Sequence, residues 1–205
     1  MKKLYAFILG LFLFSVSARA ENPAITFVNT LADNVINNIL TADVSQEEKM
    51  QRFKTEFESA LDLKNIGQFV LGVYWRKASA EERTAFLNAF MDFTTKTWAD
   101  RFNLYQGQKI IFTGARNAEK KQLYVDSVIQ NNPPVEVIWR LKQKDDSYRI
   151  IDIIIEGVSM AMSYRNEYSS FLQTHSGDIN ALTKELKTKS ETFQWTKKLN
   201  NNKIN

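Results

Sequence analysis

Hydrophobic residues recur along the chain with two different periods. From Ala24 to Leu40 they fall at Ile25, Val28, Leu31, Ala32, Val35, Ile36 and Ile39, one stripe of an amphipathic helix. Ser45 followed by Glu48 has the spacing of a capping box and opens a second helix through Phe53, Phe57, Ala60 and Leu61. A shorter apolar piece spans Ile66 to Val73. Ser79 and Glu82 form another capping box at the head of the longest helix, with Phe86, Leu87, Phe90, Phe93, Thr94, Thr97, Trp98 and Phe102 on or near one face.

After Gln106-Gly107 the period switches from 3.6 to 2. Lys109 to Ala115, Gln122 to Gln130, Val135 to Gln143 and Tyr148 to Ile155 are rich in β-branched and aromatic residues. Polar interruptions at Asn117 to Lys121, Asn131 to Pro134 and Lys144 to Ser147 fit the turns of consecutive antiparallel strands. Helical spacing returns over Val158 to Leu172 and Asp178 to Lys189, with Gly177 placed as a C-cap and Asp178 as an N-cap. This order predicts one α+β domain without repeats or linkers.

Composition narrows the chemistry. The 205 residues include no Cys and one His, which excludes disulfides, thiolate catalysis, Cys-ligated metal and any centre that needs two histidines. Met1-Lys2-Lys3, the apolar run Leu4 to Phe14 and the small-residue site Ala18-Arg19-Ala20 have the layout of a secretory signal, too short to span a bilayer. Residues 1–20 are therefore expected to be removed, 21–196 to fold, and 197–205 to form a polar basic tail that frays. Without Lys2, Lys3 and Arg19 the 27 basic residues become 24 against 23 acidic, and formal charge falls from +4 to +1. Nucleic-acid binding loses its electrostatic case. An exported lipoprotein needs a Cys after its signal, so the expected product is soluble and periplasmic.

Two stretches stand out: Gly72-Val73-Tyr74-Trp75-Arg76-Lys77-Ala78-Ser79-Ala80-Glu81-Glu82-Arg83, and Asp152-Ile153-Ile154-Ile155-Glu156-Gly157-Val158-Ser159-Met160 with Tyr164-Arg165 beyond it. In this order, flanking a four-strand meander, they resemble the MlaC family of the toluene-tolerance (Tol-Tol-Ttg) type, periplasmic phospholipid-binding proteins of Gram-negative bacteria. The resemblance implies helices packed on a curved, roughly four-stranded antiparallel sheet that encloses an apolar cavity. It implies a carrier of diacyl phospholipid, working between an outer-membrane lipoprotein–porin complex and an inner-membrane ABC transporter complex with an MCE-domain subunit. Neither cofactor nor metal is implied, and no catalytic residue. Two acyl tails need an apolar cavity at the large end of ordinary ligand pockets, roughly 1,000 Å³.

The candidate wall residues are Phe69, Val70, Val73, Tyr74 and Trp75 from the first stretch, then Phe90, Phe93, Trp98 and Phe102 from the long helix. Val125, Ile138, Ile151, Ile153, Ile155 and Met160 complete the set, with Arg76 as a bidentate phosphate donor at the mouth. From periodicity alone ordinary core packing is the commoner fate of such an aromatic stripe, and a structural ion pair with Glu82 or Asp152 is the commoner role for an arginine such as Arg76. Asp152 interrupts an apolar strand on the side of Ile150 and Ile154 and needs a partner if buried. Gly157-Val158-Ser159-Met160-Ala161 echoes a nucleophile elbow, but His175 lies about 24 Å along the same expected helix, so Ser159 reads as an N-cap. A periplasmic chaperone that uses the same apolar surface for polypeptide is the alternative function.

Overall fold

The chain folds as helices α1 (Pro23–Val35), α2 (Gln46–Ala60), α3 (Leu63–Leu71), α4 (Val73–Lys77) and α5 (Ala80–Asn103), followed by an antiparallel sheet and two more helices. Strands β1 (Ile110–Ala118), β2 (Gln122–Ile129), β3 (Val135–Lys144) and β4 (Ser147–Ile155) form the meander expected from sequence. A fifth, two-residue strand β5 (Val158–Ser159) leads into α6 (Met160–Thr174), and α7 (Ile179–Glu191) follows. This computed structural model describes residues 22–103 and 106–193, apart from the side chains of Phe102 and Asn103. The expected signal 1–20 and tail 197–205 lie outside the described residues.

Local chemistry sets the element ends. Ser79 and Glu82 complete their capping box: the Glu82 amide donates to Ser79 Oγ at 3.1 Å and the Ser79 amide to Glu82 Oε2 at 2.9 Å. Ser45 accepts from the Glu48 amide at 3.2 Å, but the Glu48 carboxylate turns instead to Arg52. Asp178 caps α7 through the Ala181 amide at 3.0 Å. Before it, the Gly177 amide reaches back to the Leu172 carbonyl at 2.7 Å and closes α6. The apolar run Ile66 to Val73 is cut by Gly72, whose φ of +54° ends α3. Glu156 and Gly157 both take positive φ, 49° and 77°, in the two-residue turn that pairs Ile155 with Val158.

α1 runs on as a π-helical segment, Ile36–Leu40, closed by the Thr41 amide on the Ile36 carbonyl at 3.0 Å. Its end carbonyls are covered from α2, where Lys49 Nζ donates to Leu40 O at 3.1 Å and Arg52 Nη1 to Asn38 O at 2.8 Å.

The core divides into regions of different character. α3 to α7 pack around Val70, Leu71, Trp75, Phe86, Phe90 and Tyr168. One face of the sheet packs against α1 and the end of α2, with Val125, Val137, Leu141 and Ile150 under Ala24, Val28 and Ala60. A third cluster, with Val35, Ile39, Phe53, Phe57, Met91 and Trp98, joins α1, its π segment, α2 and α5.

Candidate functional site

An apolar cavity of about 290 Å³ lies where α1, α2, α5 and the sheet meet. α1 and the π segment supply Leu31, Ala32, Val35 and Ile36. The end of α2 adds Phe57, Ala60 and Leu61, and α5 adds Trp98. The sheet forms the opposite wall with Val135, Val137 and Trp139 of β3 and Ile150, Ile153 and Ile155 of β4, while Ile110 and Ile129 close the side at β1 and β2. Three polar residues also line it: Arg101, Gln108 and Asn131. Gln108 and Asn131 are held together by the Gln130 amide on the Lys109 carbonyl at 2.8 Å, which extends the β1–β2 ladder past its last residues. Arg101 is exposed, its guanidinium 5.5 Å from the Trp98 ring. The volume is well below the roughly 1,000 Å³ expected for two tails and sits at the lower end of ligand pockets.

Two features of strand geometry choose the sheet residues that face this space. Along β3 the alternation is plain: Val135, Val137, Trp139 and Leu141 face α1, and Glu136, Ile138, Arg140 and Lys142 face away. The polar atoms on the inner face are satisfied there, Trp139 Nε1 donating to Ser127 Oγ at 3.0 Å and Ser127 Oγ to Val137 O at 2.9 Å. Along β4 the alternation breaks. Arg140 pairs with Asp152 but Leu141 pairs with Ile150, so Ile151 is an extra residue, a β-bulge. The bulge puts Ile150 on the inner face with Ile153 and Ile155, and sends Ile151 out with Asp152. Asp152 therefore does not share a face with Ile150. Its carboxylate accepts from Ser159 Oγ at 2.5 Å and from the Ala161 amide at 2.9 Å, which ties β4 to the start of α6. Ser159 caps that helix through the Met162 amide at 3.1 Å, and His175 sits at its far end, stacked on Phe171.

Of the wall residues proposed from sequence, the structure brings Trp98, Ile153 and Ile155 to the cavity. Val125 lies fully buried on the same sheet face, and Met160 packs beside Ile153 and Ile155, neither lining the space. Ile138 and Ile151 are on the other face, for the reasons just given. Val70, Trp75 and Phe90 are buried in the helical core, with Tyr74 and Phe93 packed against it. Phe69 and Val73 are exposed on α3 and α4, 37% and 53%. The Phe102 side chain lies outside the described residues. Arg76 is exposed on α4, away from the cavity. Glu82 serves the α5 cap and Asn180 instead, and Arg83 takes the place beside Trp75, its Nε donating to Trp75 O at 3.0 Å.

The two sequence stretches meet in the helical half rather than at the cavity. Arg165 of α6 donates from Nη1 to the Phe69 carbonyl at 2.9 Å and lies 4.8 Å from the Phe69 ring, capping the end of α3. A Cβ on Gly72 would stand 3.1 Å from the same guanidinium, a tight contact that a small shift of Arg165 would relieve, so it is the positive φ that calls for glycine here. Tyr74 rests against Gly177.

The MlaC protein family profile matches residues 29–188, a span that holds every cavity-lining residue as well as Gly72 and Arg165. The chain belongs to the MlaC family. Within that family, one relative is the intermembrane phospholipid transport system binding protein MlaC of Haemophilus influenzae, 24% identical over 168 residues, which are 77% of this chain and 78% of that protein. Among solved structures, a phospholipid-binding protein from Ralstonia solanacearum in complex with a phospholipid has the same fold, with a TM-score of 0.74 at 20% identity. That match covers 83% of this chain and 98% of the other. The membership agrees with the resemblance carried by the Gly72–Arg83 and Asp152–Met160 stretches. Among the described residues no helix is long and apolar enough to cross a membrane, and no acidic or histidine cluster could hold a metal ion.

Missing from the sequence reading were Val137, Trp139 and Ile150 on the sheet, Leu31, Val35 and Ile36 on the helix, and Arg101. The β3 set was available from strict alternation of apolar and polar residues. Arg101 was available from its place three residues after Trp98, on one helical face. Ile150 was not, because nothing in Tyr148 to Ile155 marks the bulge.

Proposed function

We propose that this protein is a soluble periplasmic phospholipid carrier. Acyl chains enter the space between α1 and the sheet, and the phosphate-bearing headgroup stays at the end marked by Arg101, Gln108 and Asn131. The carrier exchanges lipid with an outer-membrane lipoprotein–porin complex and with an inner-membrane ABC transporter complex that has an MCE-domain subunit, and so maintains outer-membrane lipid asymmetry. It works by reversible burial, without cofactor and without making or breaking a bond.

The observation that supports this reading is a cavity whose walls are almost wholly apolar, with its few polar residues contributed by α5 and the β1–β2 end. Each methylene moved out of water contributes about 0.8 kcal/mol, which holds a lipid against its poor solubility without a covalent tether. Because the cavity measures about 290 Å³, two tails enter only if its walls separate. α1 and its π segment are the wall best suited to move, since their outer surface is solvent and their inner contacts are side chains rather than a β ladder.

Organic extraction and lipid mass spectrometry on the mature protein, purified without detergent, test the reading. Near-stoichiometric diacyl phospholipid is the expected result. Protein free of lipid that also takes none from vesicles, yet suppresses aggregation of a denatured client, would replace it with the chaperone alternative.

A further inference from the structure

The face of the sheet turned away from the cavity carries a second feature. Between that face and the helices α3 and α6 lies a cleft of about 400 Å³, lined by Arg140 and Lys142 of β3, Asp152 of β4 and Gln122 of β2, with Phe69 and Met162 at its rim. Both cations are half-buried, and neither forms an ion pair among the described residues. Two carboxylates of this face are engaged elsewhere: Asp126 with Arg116 at 3.2 Å, and Asp152, opposite Arg140 in the ladder, with Ser159 and the Ala161 amide; Glu136 stands toward the other end of β3 and does not line the cleft. Arg140 uses Nε on Gln122 Oε1 at 3.0 Å and lies 6.0 Å from the Tyr124 ring, and its terminal nitrogens have no hydrogen-bond acceptor among the described residues.

The register sharpens the case. Lys142 pairs directly with Arg149 across β3 and β4, and Arg149, which donates to the Tyr148 carbonyl, makes no ion pair among the described residues either. Like charges opposite one another destabilise a sheet, so this placement works against the fold unless an anion settles between them. The rim is apolar and open: Phe69 and Met162 are 37% and 44% exposed, and Val73 just beyond α3 is 53% exposed. Free phosphate has no use for such a rim. Cations flanked by exposed apolar side chains suit a surface where phosphates stand above hydrocarbon.

We propose that this cleft binds the phosphate of phospholipid headgroups displayed on a bilayer, so that the protein docks on a membrane by the sheet face opposite its cavity. The inference does not depend on what the cavity holds. The decisive variant is Lys142→Glu, because Lys142 makes no side-chain hydrogen bond among the described residues and a glutamate there faces Arg149. It should keep or raise the melting temperature, which separates binding from folding. Flotation with phosphatidylcholine vesicles, with and without phosphatidylglycerol, should show retention that is strongest with the anionic lipid and weakened by salt. Retention should fall at least about tenfold in Lys142→Glu and stay unchanged in Lys184→Glu, the same charge reversal on the exposed side of α7. Titration with inorganic phosphate and with glycerophosphoglycerol, read from amide resonances of β3, separates the two sources of phosphate. Phosphate binding without vesicle retention would overturn the membrane assignment. Retention that survives Lys142→Glu, or falls as far in Lys184→Glu, would overturn the site.

Discussion

The helical half and the sheet half of this protein are both apolar inside, but one is filled and the other keeps a space. In the helical half the aromatic rings close on one another: Phe86 and Phe90 stack at 5.7 Å, and Phe90 meets Tyr164 and Tyr168 edge-on at 5.4 and 6.0 Å. Helices approach along straight faces, and large flat rings fill what lies between them. In the sheet half a twisted ladder faces α1 and the end of α2 across its inner side, and β-branched residues are too short to fill the gap near α5. Phe86, Phe90 and Phe93 of the α5 stripe therefore build ordinary core while Trp98 reaches the cavity, which is walled mainly by Val, Ile and Leu.

The sharpest way to break this contrast is truncation in each half. Phe86→Ala should cost about 3–5 kcal/mol in denaturant unfolding, since Phe86 is fully buried and its neighbours leave no room to collapse. Leu182→Ala in the same cluster should cost about 3–4 kcal/mol, whereas Ile153→Ala at the cavity should fall near 2 kcal/mol, because its side chain already borders free volume. Equal losses at Leu182 and Ile153 would show that the sheet half is packed as tightly as the helical half.

A smaller effect is expected at Tyr168. Its ring is buried but its hydroxyl has no hydrogen-bond partner among the described residues, and burial pushes its pKa far above the ordinary phenol value. Tyr168→Phe should leave stability unchanged or raise it by up to about 1 kcal/mol, readable as melting temperature. The smallest effect belongs to Asp92, which clasps α5 to α7 and α2. Burial pushes its carboxyl up, but the Ser190 hydroxyl, Lys96 and Lys54 outweigh that and hold it below its ordinary 3.8. The contribution is complete above that value and disappears as pH falls through the lower folded-state value. Asp92→Asn should remove that acid-side dependence and, the site being well exposed, change stability by less than about 1 kcal/mol.

Much of this fold could be read from residues alone, for identifiable reasons. Capping chemistry is local, so Ser79 with Glu82 and Asp178 fixed the starts of α5 and α7 without tertiary information. Alternation is local too, so the four long strands fell where β-branched residues cluster. Three departures were tertiary. Gly72 split an apolar run by taking a positive φ, and Arg165, distant in sequence, covers the helix end that this leaves. β5 appeared where helical spacing continued, because Glu156-Gly157 turns the chain back on β4. The bulge at Ile151 moved Ile150 to the inner face, and no residue type marks it.

The site was less legible than the fold, and the two sequence stretches explain why. Gly72–Arg83 and Asp152–Met160 are distinctive because they join α3, α4, α6 and the end of β4, where exact side chains are required. The cavity tolerates any branched aliphatic of suitable size, so its wall has no signature beyond alternation. A side chain that touches another side chain and one that faces open space look alike in sequence.

The central claim is that acyl chains are held by the sheet half and not by the helical half. The direct measurement is bound phospholipid per protein for Ile153→Trp and Val73→Trp, purified in parallel with the unaltered chain. Ile153→Trp fills the cavity and should lose most of its lipid while its melting temperature changes little. Val73→Trp, on an exposed position, should keep both. Full lipid content in Ile153→Trp, with stability lowered by the 1–3 kcal/mol typical of an overpacked core, would contradict the account.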